Sequence, residues 1–326
     1  MIAADTIEAS SPGLDRRGIE YVVTLPTFRR PEHLLRTLAS VKTQAMRGPM
    51  AVLVMENDAE RREGLEAARS LFETGEIAGH ILVVPERGNC NAYNSGWRSA
   101  LAEFPNARFI IVIDDDELAA PGWAQALVDT AEVLPADLVG GPQVPVFEGE
   151  NGEHYRRHPV FTPHYAETGR VPILYSSGNV AIRRDVLEAM PFPFLDPMFN
   201  FLGGGDSDFY SRCRLRGFRF GWCAEARVDE TTPARRTEFS WVNARALRNG
   251  AISTIIEQRR ATTAAGRVKS LAKSVALLAA SPLRGAALAA RSRSAVIGLY
   301  PVQVALGRLQ GHLGGANEQY RRPEGN

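Results

Sequence analysis

Three adjacent carboxylates follow a continuous apolar run in this chain. The run is FIIVI at residues 109–113, and Asp114, Asp115 and Asp116 come directly after it. Five consecutive β-formers predict a buried parallel strand, and ligand sites in open α/β sheets lie beyond the carboxyl ends of such strands. Adjacent carboxylates repel one another, and hard oxygen ligands suit Mg²⁺ or Mn²⁺ shared with a substrate diphosphate. The alternatives are a solvated acidic loop and a cap for a helix over residues 121–134.

A second pair of carboxylates follows a glycine-rich turn. Residues 203–205 are glycines, and Asp206 and Asp208 begin a predicted helix that ends at Gly217. When a sugar hydroxyl attacks an activated anomeric carbon, the leaving diphosphate needs a cation and the hydroxyl needs a base on the opposite side. Asp206 is the candidate base, and residues 114–116 are the candidate cation site. The alternative is that either aspartate only caps the helix, which is worth about 1 kcal/mol.

Alternating strands and helices must position these carboxylates. Four apolar runs predict strands, at residues 21–25, 51–55, 81–84 and 109–113. Helix-compatible segments separate the runs, so residues 21–134 predict a parallel, right-handed α/β sheet like a nucleotide-binding fold. No G-x-G-x-x-G motif follows the first run and no P-loop is present, which argues against a dinucleotide site. After Gly140 the segments become shorter and richer in Pro, Gly and aromatic residues, and we interpret this half as the acceptor side.

Composition limits the class of protein. The chain has 326 residues, 44% hydrophobic and 23% charged, which suffices for one α/β domain of roughly 250 residues plus an appendage. The formal charge of +1 gives no overall bias toward nucleic acid, and we expect no nucleic-acid partner. Cys90, Cys213 and Cys223 lack C-x-x-C spacing, which favours a reducing, cytoplasmic setting. Residues 1–19 have no apolar core run and predict a polar leader.

Residues 256–326 predict a basic, amphipathic helical tail. Between Glu257 and Glu318 there are nine Lys or Arg residues and no acidic one, and apolar residues recur at helical spacing from Val268 to Leu278. The apolar runs are judged too short and too interrupted to span a bilayer. A helix lying on the anionic inner leaflet is the functional interpretation. Helices that dock on the catalytic domain or form a dimer are the alternative.

Four motifs occur together in the order and spacing of family 2 glycosyltransferases. They are TLPTFRRP at residues 24–31, VMEND at 54–58, VIDDDE at 112–117 and GGGDSDF at 203–209. The chain resembles in particular the bacterial exopolysaccharide glucosyltransferases of the succinoglycan pathway. The resemblance implies a GT-A fold, with a mostly parallel sheet flanked by helices, over residues 20–255. Residues 20–140 would form the nucleotide-sugar half and residues 141–255 the acceptor half.

Carried over position by position, the resemblance assigns roles to individual residues. Asp206 matches the catalytic base and Asp116 the principal metal ligand, with Asp114 and Asp229 as further candidate ligands of Mn²⁺ or Mg²⁺. A surface charge is the alternative for Asp229. The nucleotide-sugar site would contain Pro26, Thr27, Glu56, Asn57, Asp58, Asp114, Asp115, Arg245 and Arg248. The acceptor end would contain Gly203, Gly204 and Asp208. A solvated helix face is the alternative for Arg245 and Arg248.

Four positions depart from the family pattern. Glu56 stands where Asp is common, and Tyr93 stands where Arg is common. Gly205 stands where Glu commonly precedes the catalytic Asp, and Asp229 stands where His is often found. The first two bear on the nucleotide base, and the third bears on the choice of acceptor.

The sequence as a whole predicts a metal-dependent, inverting glycosyltransferase. It would move a hexose, foremost glucose from a UDP-sugar, to a lipid-linked oligosaccharide or surface polysaccharide at the inner face of the cytoplasmic membrane. Two other interpretations stay open. A nucleotidyltransferase would need a basic triphosphate-binding loop, for which Arg29 and Arg30 are the candidates. A membrane-bound scaffold would keep the fold without turnover.

Overall fold

The computed structural model describes residues 4–149 and 152–314. The strands are β1 (Thr6–Ser10), β2 (Tyr21–Thr27), β3 (Met50–Glu56), β4 (Gly79–Val83), β5 (Phe109–Ile113), β6 (Glu117–Ala119), β7 (Leu138–Gly140), β8 (Gln143–Phe147), β9 (Gly169–Val171), β10 (Asn179–Arg183), β11 (Phe220–Trp222) and β12 (Val228–Thr232). The helices are α1 (Pro31–Lys42), α2 (Glu63–Glu73), α3 (Asn89–Glu103), α4 (Trp123–Val133), α5 (Gly152–Tyr155), α6 (Arg184–Ala189), α7 (Gly205–Leu215), α8 (Phe239–Arg260), α9 (Ala264–Ser292), α10 (Ala295–Gly298) and α11 (Tyr300–His312). A 3₁₀ turn at Ala234–Thr237 precedes α8.

Within the described ranges, the main sheet has nine strands in the order β1-β4-β3-β2-β5-β10-β7-β11-β9. Strands β4, β3, β2 and β5 run parallel to one another, as the sequence predicts. The second half of the sheet is mixed, because β10 runs antiparallel to both β5 and β7. A small sheet, β6-β12-β8, stands beside it. Since β6 begins directly after the three aspartates, it holds β12 close to the carboxyl end of β5.

The parallel strands are apolar throughout because both faces of the sheet are covered. Every residue of β2, β4 and β5 is buried. Val22 and Ile110 belong to one hydrophobic cluster, while Val23 and Ile111, one position further along, belong to the other. Successive side chains of a strand point to opposite faces, so a strand between two helical layers needs apolar residues at every position. Truncation of such a side chain to alanine costs about 2–5 kcal/mol.

Part of the predicted polar leader lies inside the sheet. Residues Thr6–Ser10 form β1, which pairs antiparallel with β4 at the sheet edge. Ala9 is buried, while the other residues of the strand are exposed or half-buried. Residues 6–10 of the predicted polar leader are therefore part of the sheet. An edge strand with one buried side chain has no apolar run by which to recognise it.

The tail docks on the catalytic domain. Helix α8 runs across residue 255, the predicted domain boundary, and α11 packs along it. The packing is close, since a Cβ at Gly307 would overlap the carbonyl oxygen of Leu247. Arg308 is 4% exposed, and it donates hydrogen bonds to Glu257 Oε2 at 2.5 Å and to Ser274 Oγ at 3.1 Å. This buried cluster joins α8, α9 and α11.

Helix α9 buries its small polar side and exposes its apolar side. Its buried residues are Ser270, Ser274, Ser281 and Gly285, whereas Val268, Leu271, Val275 and Leu283 are 45–80% exposed. Among the described residues, α9 is the one helix whose length and composition would allow a membrane crossing. The Arg, Gly and Pro residues of this segment were predicted to interrupt it, but α9 continues through Pro282.

Candidate active site

A cleft of about 900 Å³ lies at the carboxyl ends of the parallel strands. The predicted residues that line it are Pro26, Thr27, Asn57, Asp114, Asp115, Asp116, Gly203, Gly204, Asp206, Arg245 and Arg248. A second cleft of about 1220 Å³, between residues 153–157 and 292–296, contains none of the predicted site residues. We therefore assign the site to the smaller cleft, because it holds the carboxylates.

Asp115 is bound by two donors from the loop that follows β2. Thr27 Oγ1 donates a hydrogen bond to Asp115 Oδ2 at 2.9 Å, and Arg30 Nη1 lies 3.2 Å from Oδ1. Arg30 also donates to Asp116 Oδ2 at 2.9 Å. Burial raises the pKa of Asp115 to about 6, although the charge of Arg30 acts in the opposite direction. Arg29, the other candidate for a triphosphate loop, instead pairs with Asp58 at 2.5 Å.

Asp114 is part of a buried hydrogen-bond network. Its Oδ1 accepts a hydrogen bond from the hydroxyl of Tyr93, and its backbone N–H donates to Glu117 Oε2 at 2.9 Å. Gln143 donates to the other oxygen of Glu117. A Cβ at Gly178 would lie 2.7 Å from oxygens of both acids, so only glycine fits there. Burial, with Asp116 as the nearest negative charge, raises the pKa of Asp114 to about 7, and burial raises that of Glu117 well above its usual value.

The Tyr93 departure from the family pattern follows from this network. An arginine beside Asp114 would hold the carboxyl ionised, whereas the tyrosine hydroxyl can donate to it without adding a charge. Tyr93 is fully buried between Asp114 and the ring of Trp97.

Asp116 and Glu230 share the guanidinium of Arg236. Glu230 Oε1 lies 2.8 Å from Arg236 Nη1, and Asp116 Oδ2 lies 3.8 Å from Nη2. Burial raises the pKa of Glu230, and the charge of Asp116 raises it further, while Arg236 lowers it. The sequence analysis predicted neither Glu230 nor Arg236 as a site residue. Glu230 lies in β12 and Arg236 lies in the 3₁₀ turn that follows it. The pairing of β12 with β6 brings both residues to Asp116, and the sequence does not reveal that pairing.

Asp229, a predicted metal ligand, does not line the cleft. Asp229 and Glu230 are neighbours in β12, so their side chains point to opposite faces. Glu230 lines the cleft, while Asp229 pairs with Arg227 at 2.5 Å outside it.

Two carboxylates that converge in a cleft fit a divalent cation that is completed by substrate. Mg²⁺ sites commonly consist of one or two protein carboxylates together with phosphate oxygens. The described residues contain no group of three or more acidic, His or Cys side chains placed to hold a metal alone. Asp116 and Glu230, which now neutralise an arginine, are hard oxygen donors of the right type. The donor set is therefore compatible with Mn²⁺ or Mg²⁺ bound together with a diphosphate.

Asp206 is presented at the first turn of α7. The turn before it uses left-handed backbone at Gly203 (φ +77°) and Gly204 (φ +92°), a conformation that favours glycine. A Cβ on Gly204 would also lie 2.5 Å from Ile252. Asp206 Oδ1 accepts a hydrogen bond of 2.6 Å from the N–H of Ser207. Burial raises the pKa of Asp206, although that hydrogen bond and the charge of Arg245 act in the opposite direction.

The structure also accounts for Gly205, which stands where related sequences carry Glu. A Cβ at Gly205 would lie 2.7 Å from the Sγ of buried Cys90. The close approach of α3 to α7 leaves no space for a longer side chain.

Asp208, predicted at the acceptor end, does not line the cleft. Residues two apart on a helix are rotated by about 200°, so Asp206 and Asp208 point in different directions. Asp208 pairs with Arg212 at 2.8 Å and is 4% exposed. It stabilises α7 rather than lining the site.

Of the motif after β3, only the middle residue reaches the cleft. Glu56 is fully buried and accepts hydrogen bonds from the N–H groups of Asp58 (2.9 Å) and Leu65 (3.0 Å), which holds the start of α2. Asp58 forms an ion pair with Arg29. Glu56 and Asp58, which were predicted at the nucleotide site, thus form contacts within the protein and do not line the cleft. Asn57 lines the cleft, where its side chain bonds the backbone of residues 84–88 and shapes that loop.

Arg245 and Arg248 lie at the cleft and not on a solvated helix face. Arg248 is 4% exposed. The guanidinium of Arg245 lies 5.9 Å from the ring centre of Trp241, and that of Arg236 lies at the same distance. Trp241 thus holds two cationic groups near the carboxylates by cation–π contact.

A model of glycosyl transferase family 2 matches residues 22–190. The chain belongs to glycosyl transferase family 2. The matched segment contains the parallel strands and the aspartates of residues 114–116, but it ends before Asp206 and Glu230. The roles of those two residues therefore depend on the geometry described above.

Two relatives agree with this membership. The chain is 30% identical over 232 residues to the succinoglycan biosynthesis protein ExoM of Rhizobium meliloti strain 1021, covering 69% of this chain and 71% of the relative. It is 27% identical over 258 residues to the glucosyl-dolichyl phosphate glucuronosyltransferase of Haloferax volcanii, covering 71% and 75%. The protein is thus an enzyme of the glycosyltransferase class.

The fold is that of solved GT-A glycosyltransferases. The mannosyltransferase PcManGT of Pyrobaculum calidifontis, solved with GDP-mannose and Mn²⁺, superposes with a TM-score of 0.57 at 18% identity. The match covers 93% of this chain and 90% of that protein. The predicted α/β GT-A fold with a C-terminal helical region is confirmed.

Proposed function

We propose that this glycosyltransferase moves a hexose, foremost glucose, from a UDP-sugar to a lipid-linked oligosaccharide or surface polysaccharide, with inversion at the anomeric carbon. One observation carries the proposal: Asp116 and Glu230 converge in the same cleft as Asp206, which lies on helix α7. The leaving diphosphate and its cation require a pair of carboxylates. The attacking hydroxyl requires a separate, single carboxylate.

The nucleotide end of the cleft would be formed by Pro26, Thr27 and Asn57, with Asp114 and Asp115 along the ribose and diphosphate. Mn²⁺ or Mg²⁺, held by Asp116 and Glu230, would supply positive charge against the leaving diphosphate. Arg236 and Arg245 lie on the ring of Trp241 beside the same carboxylates. They add positive charge where the diphosphate would develop negative charge.

Asp206 would accept the proton of the attacking hydroxyl. Its raised pKa makes it a stronger base than an exposed aspartate, and its hydrogen bond to Ser207 holds the carboxylate in one orientation. Gly203 and Gly204 bring the backbone close to the acceptor, because no side chain stands between them and the cleft.

Membrane association would bring the enzyme to a lipid-linked acceptor at the inner face of the cytoplasmic membrane. Helix α9 exposes Val268, Leu271 and Val275 on one side and carries Lys and Arg residues without any acidic one. An exposed apolar stripe combined with positive charge is typical of a helix that lies on an anionic lipid surface. The glycan produced would belong to an exopolysaccharide or a related surface polymer, as the description of the Rhizobium relative suggests.

The decisive experiment is calorimetric titration of UDP-glucose, UDP-glucuronate and GDP-mannose with and without Mn²⁺. We expect a UDP-sugar to bind only with metal, and Asp116→Asn to abolish that binding. Asp229→Asn is the matched control, because it removes a carboxylate outside the cleft. Equal binding by wild type and Asp116→Asn would refute the assigned cation site, and tight metal-free binding of a donor would refute metal dependence.

A further inference from the structure

The acceptor end of the cleft carries two arginines that form no ion pair. Arg214 lies in the last turn of α7 and Arg260 is the last residue of α8, and both line the cleft wall. Within residues 4–149 and 152–314, neither guanidinium pairs with a carboxylate at 4.0 Å or less. Both side chains are exposed to the cleft mouth.

The arginines near Arg214 and Arg260 in the sequence do form ion pairs. Arg212, two residues before Arg214 on α7, pairs with Asp208 at 2.8 Å. Arg259, directly before Arg260, pairs with Asp196 at 2.5 Å. Asp208 and Asp196 thus pair with other arginines, and Glu257, which also lines the cleft, acts on Arg260 without forming an ion pair with it.

Arg214 and Arg260 are close enough to repel one another. Partial burial lowers the pKa of Arg260, and the charge of Arg214 lowers it further, although Asp208 acts in the opposite direction. An anion bound between the two guanidinium groups would offset this repulsion. Phosphate and carboxylate groups fit this geometry, since each guanidinium can donate two parallel hydrogen bonds.

The position of the pair relative to the base limits which ligand can reach it. Arg214 follows Asp206 by eight residues on α7, a rise of about 12 Å along the helix. That separation leaves room for a short saccharide between an attacking hydroxyl at Asp206 and an anionic group at Arg214. Arg260 also marks the point where α8 ends and α9, with its exposed apolar stripe, follows.

We propose that Arg214 and Arg260 bind the diphosphate that links the acceptor saccharide to its lipid. This inference rests on the proposed function, which requires a lipid-linked acceptor. The sugar end of the acceptor then reaches Asp206, and the diphosphate is held where the chain turns into the membrane-facing helix. A carboxylate on an acidic acceptor sugar is the other anion that the pair could hold, and the experiment separates the two.

The test is calorimetry with farnesyl diphosphate, farnesol and free glucuronate as three probes, in the presence of saturating UDP and Mn²⁺. We expect farnesyl diphosphate to bind and farnesol and glucuronate not to bind. Arg214→Gln and Arg260→Gln should each weaken farnesyl diphosphate roughly 10- to 100-fold, since each removes hydrogen bonds to a charged group. Arg214→Lys should retain part of the affinity. Arg36→Gln on α1 is the control for loss of an exposed arginine and should bind as wild type does.

Farnesyl diphosphate binding that is equal in wild type and both glutamine variants would overturn the proposal, and so would binding of glucuronate alone. The UDP titration in the same samples keeps the two hypotheses apart. If UDP binds but farnesyl diphosphate does not, the arginine pair is wrongly assigned while the proposed function stands. If UDP fails to bind, the proposed function fails, and the difference between wild type and variants toward farnesyl diphosphate still decides the role of the arginines.

Discussion

Asp116 and Glu230 contact one guanidinium although they come from different sheets. Asp116 follows β5 of the main sheet, Glu230 lies in β12 of the small sheet, and Arg236 reaches both. The backbone fixes this arrangement, since the N–H of Thr231 donates to the carbonyl oxygen of Asp116 at 2.8 Å. The carboxylate pair is thus preorganised in the absence of ligand, with an arginine as its counter-charge.

The first prediction concerns this pair. Glu230→Gln should weaken Mn²⁺-dependent donor binding at least roughly tenfold, because it removes one of two charged oxygen ligands. Asp229→Gln should leave donor binding unchanged, since its side chain lies on the other face of β12. Isothermal titration of the UDP-sugar at fixed Mn²⁺ measures both. A larger loss in Asp229→Gln than in Glu230→Gln would show that the strand is assigned to the wrong face.

The second prediction concerns the base. Asp206→Asn should lower kcat by a factor of roughly 10² to 10⁴, while donor binding stays near the wild-type value. Because the base acts in its deprotonated form, kcat/KM should rise with pH through the raised pKa of Asp206, above the usual range of an aspartate. Asp208→Asn is the control and should lower Tm rather than kcat, since it breaks the ion pair with Arg212. An acceptor product with retained configuration would contradict the role of Asp206.

The third prediction concerns stability against pH. The pKa of Asp114 is about 7 in the folded protein and 3.8 in its reference state, so the folded state binds the proton more tightly. This contribution to stability is full below pH 4 and is lost as pH rises to about 7. The free energy of unfolding of the metal-free protein should therefore fall across that window. Asp114→Asn should flatten the fall when denaturant unfolding is measured at several pH values, and an unchanged slope would contradict the assignment.

The fourth prediction concerns the turn before the base. Gly204→Ala introduces a left-handed alanine and a Cβ at 2.5 Å from Ile252. Gly217→Ala introduces the same kind of backbone strain at φ +87° but meets no atom within 4 Å. The Gly217 variant should lose about 1–2 kcal/mol of stability, and the Gly204 variant should lose more together with activity. If both variants lose the same stability and keep full activity, the contact with Ile252 affects neither stability nor activity.

The fifth prediction concerns membrane binding. The double variant Leu271→Gln, Val275→Gln should sediment with phosphatidylglycerol vesicles at least roughly tenfold more weakly than wild type, because burial of these side chains in lipid supplies the attraction. Val133→Gln removes an even more exposed apolar side chain from α4 and is the control. Neutral phosphatidylcholine vesicles should bind the wild type less than anionic ones. Equal binding of all three proteins would place the apolar side of α9 away from the membrane.

The order of strands and helices in the nucleotide half was predictable from the chain alone. Runs such as FIIVI are apolar at every position because both sheet faces are covered, and that pattern is local. The glycine-rich turn before Asp206 was predictable for the same reason, since left-handed backbone demands glycine at the residues concerned. The edge strand β1 was not predictable, because it buries a single side chain, Ala9, and so shows no apolar periodicity.

The sequence by itself determined the family, the parallel strands and the carboxylates that end them, because each of these depends on neighbouring residues. Only the tertiary structure decided which carboxylates meet. The pairing of β12 with β6 turns Glu230 toward Asp116 and Asp229 away from it. The pitch of α7 turns Asp206 into the cleft and Asp208 toward Arg212. Two aspartates or glutamates that are close in the sequence cannot be told apart by their positions alone. The pleat of a strand or the turn of a helix gives each side chain its own direction, and that direction decides which one enters the cleft.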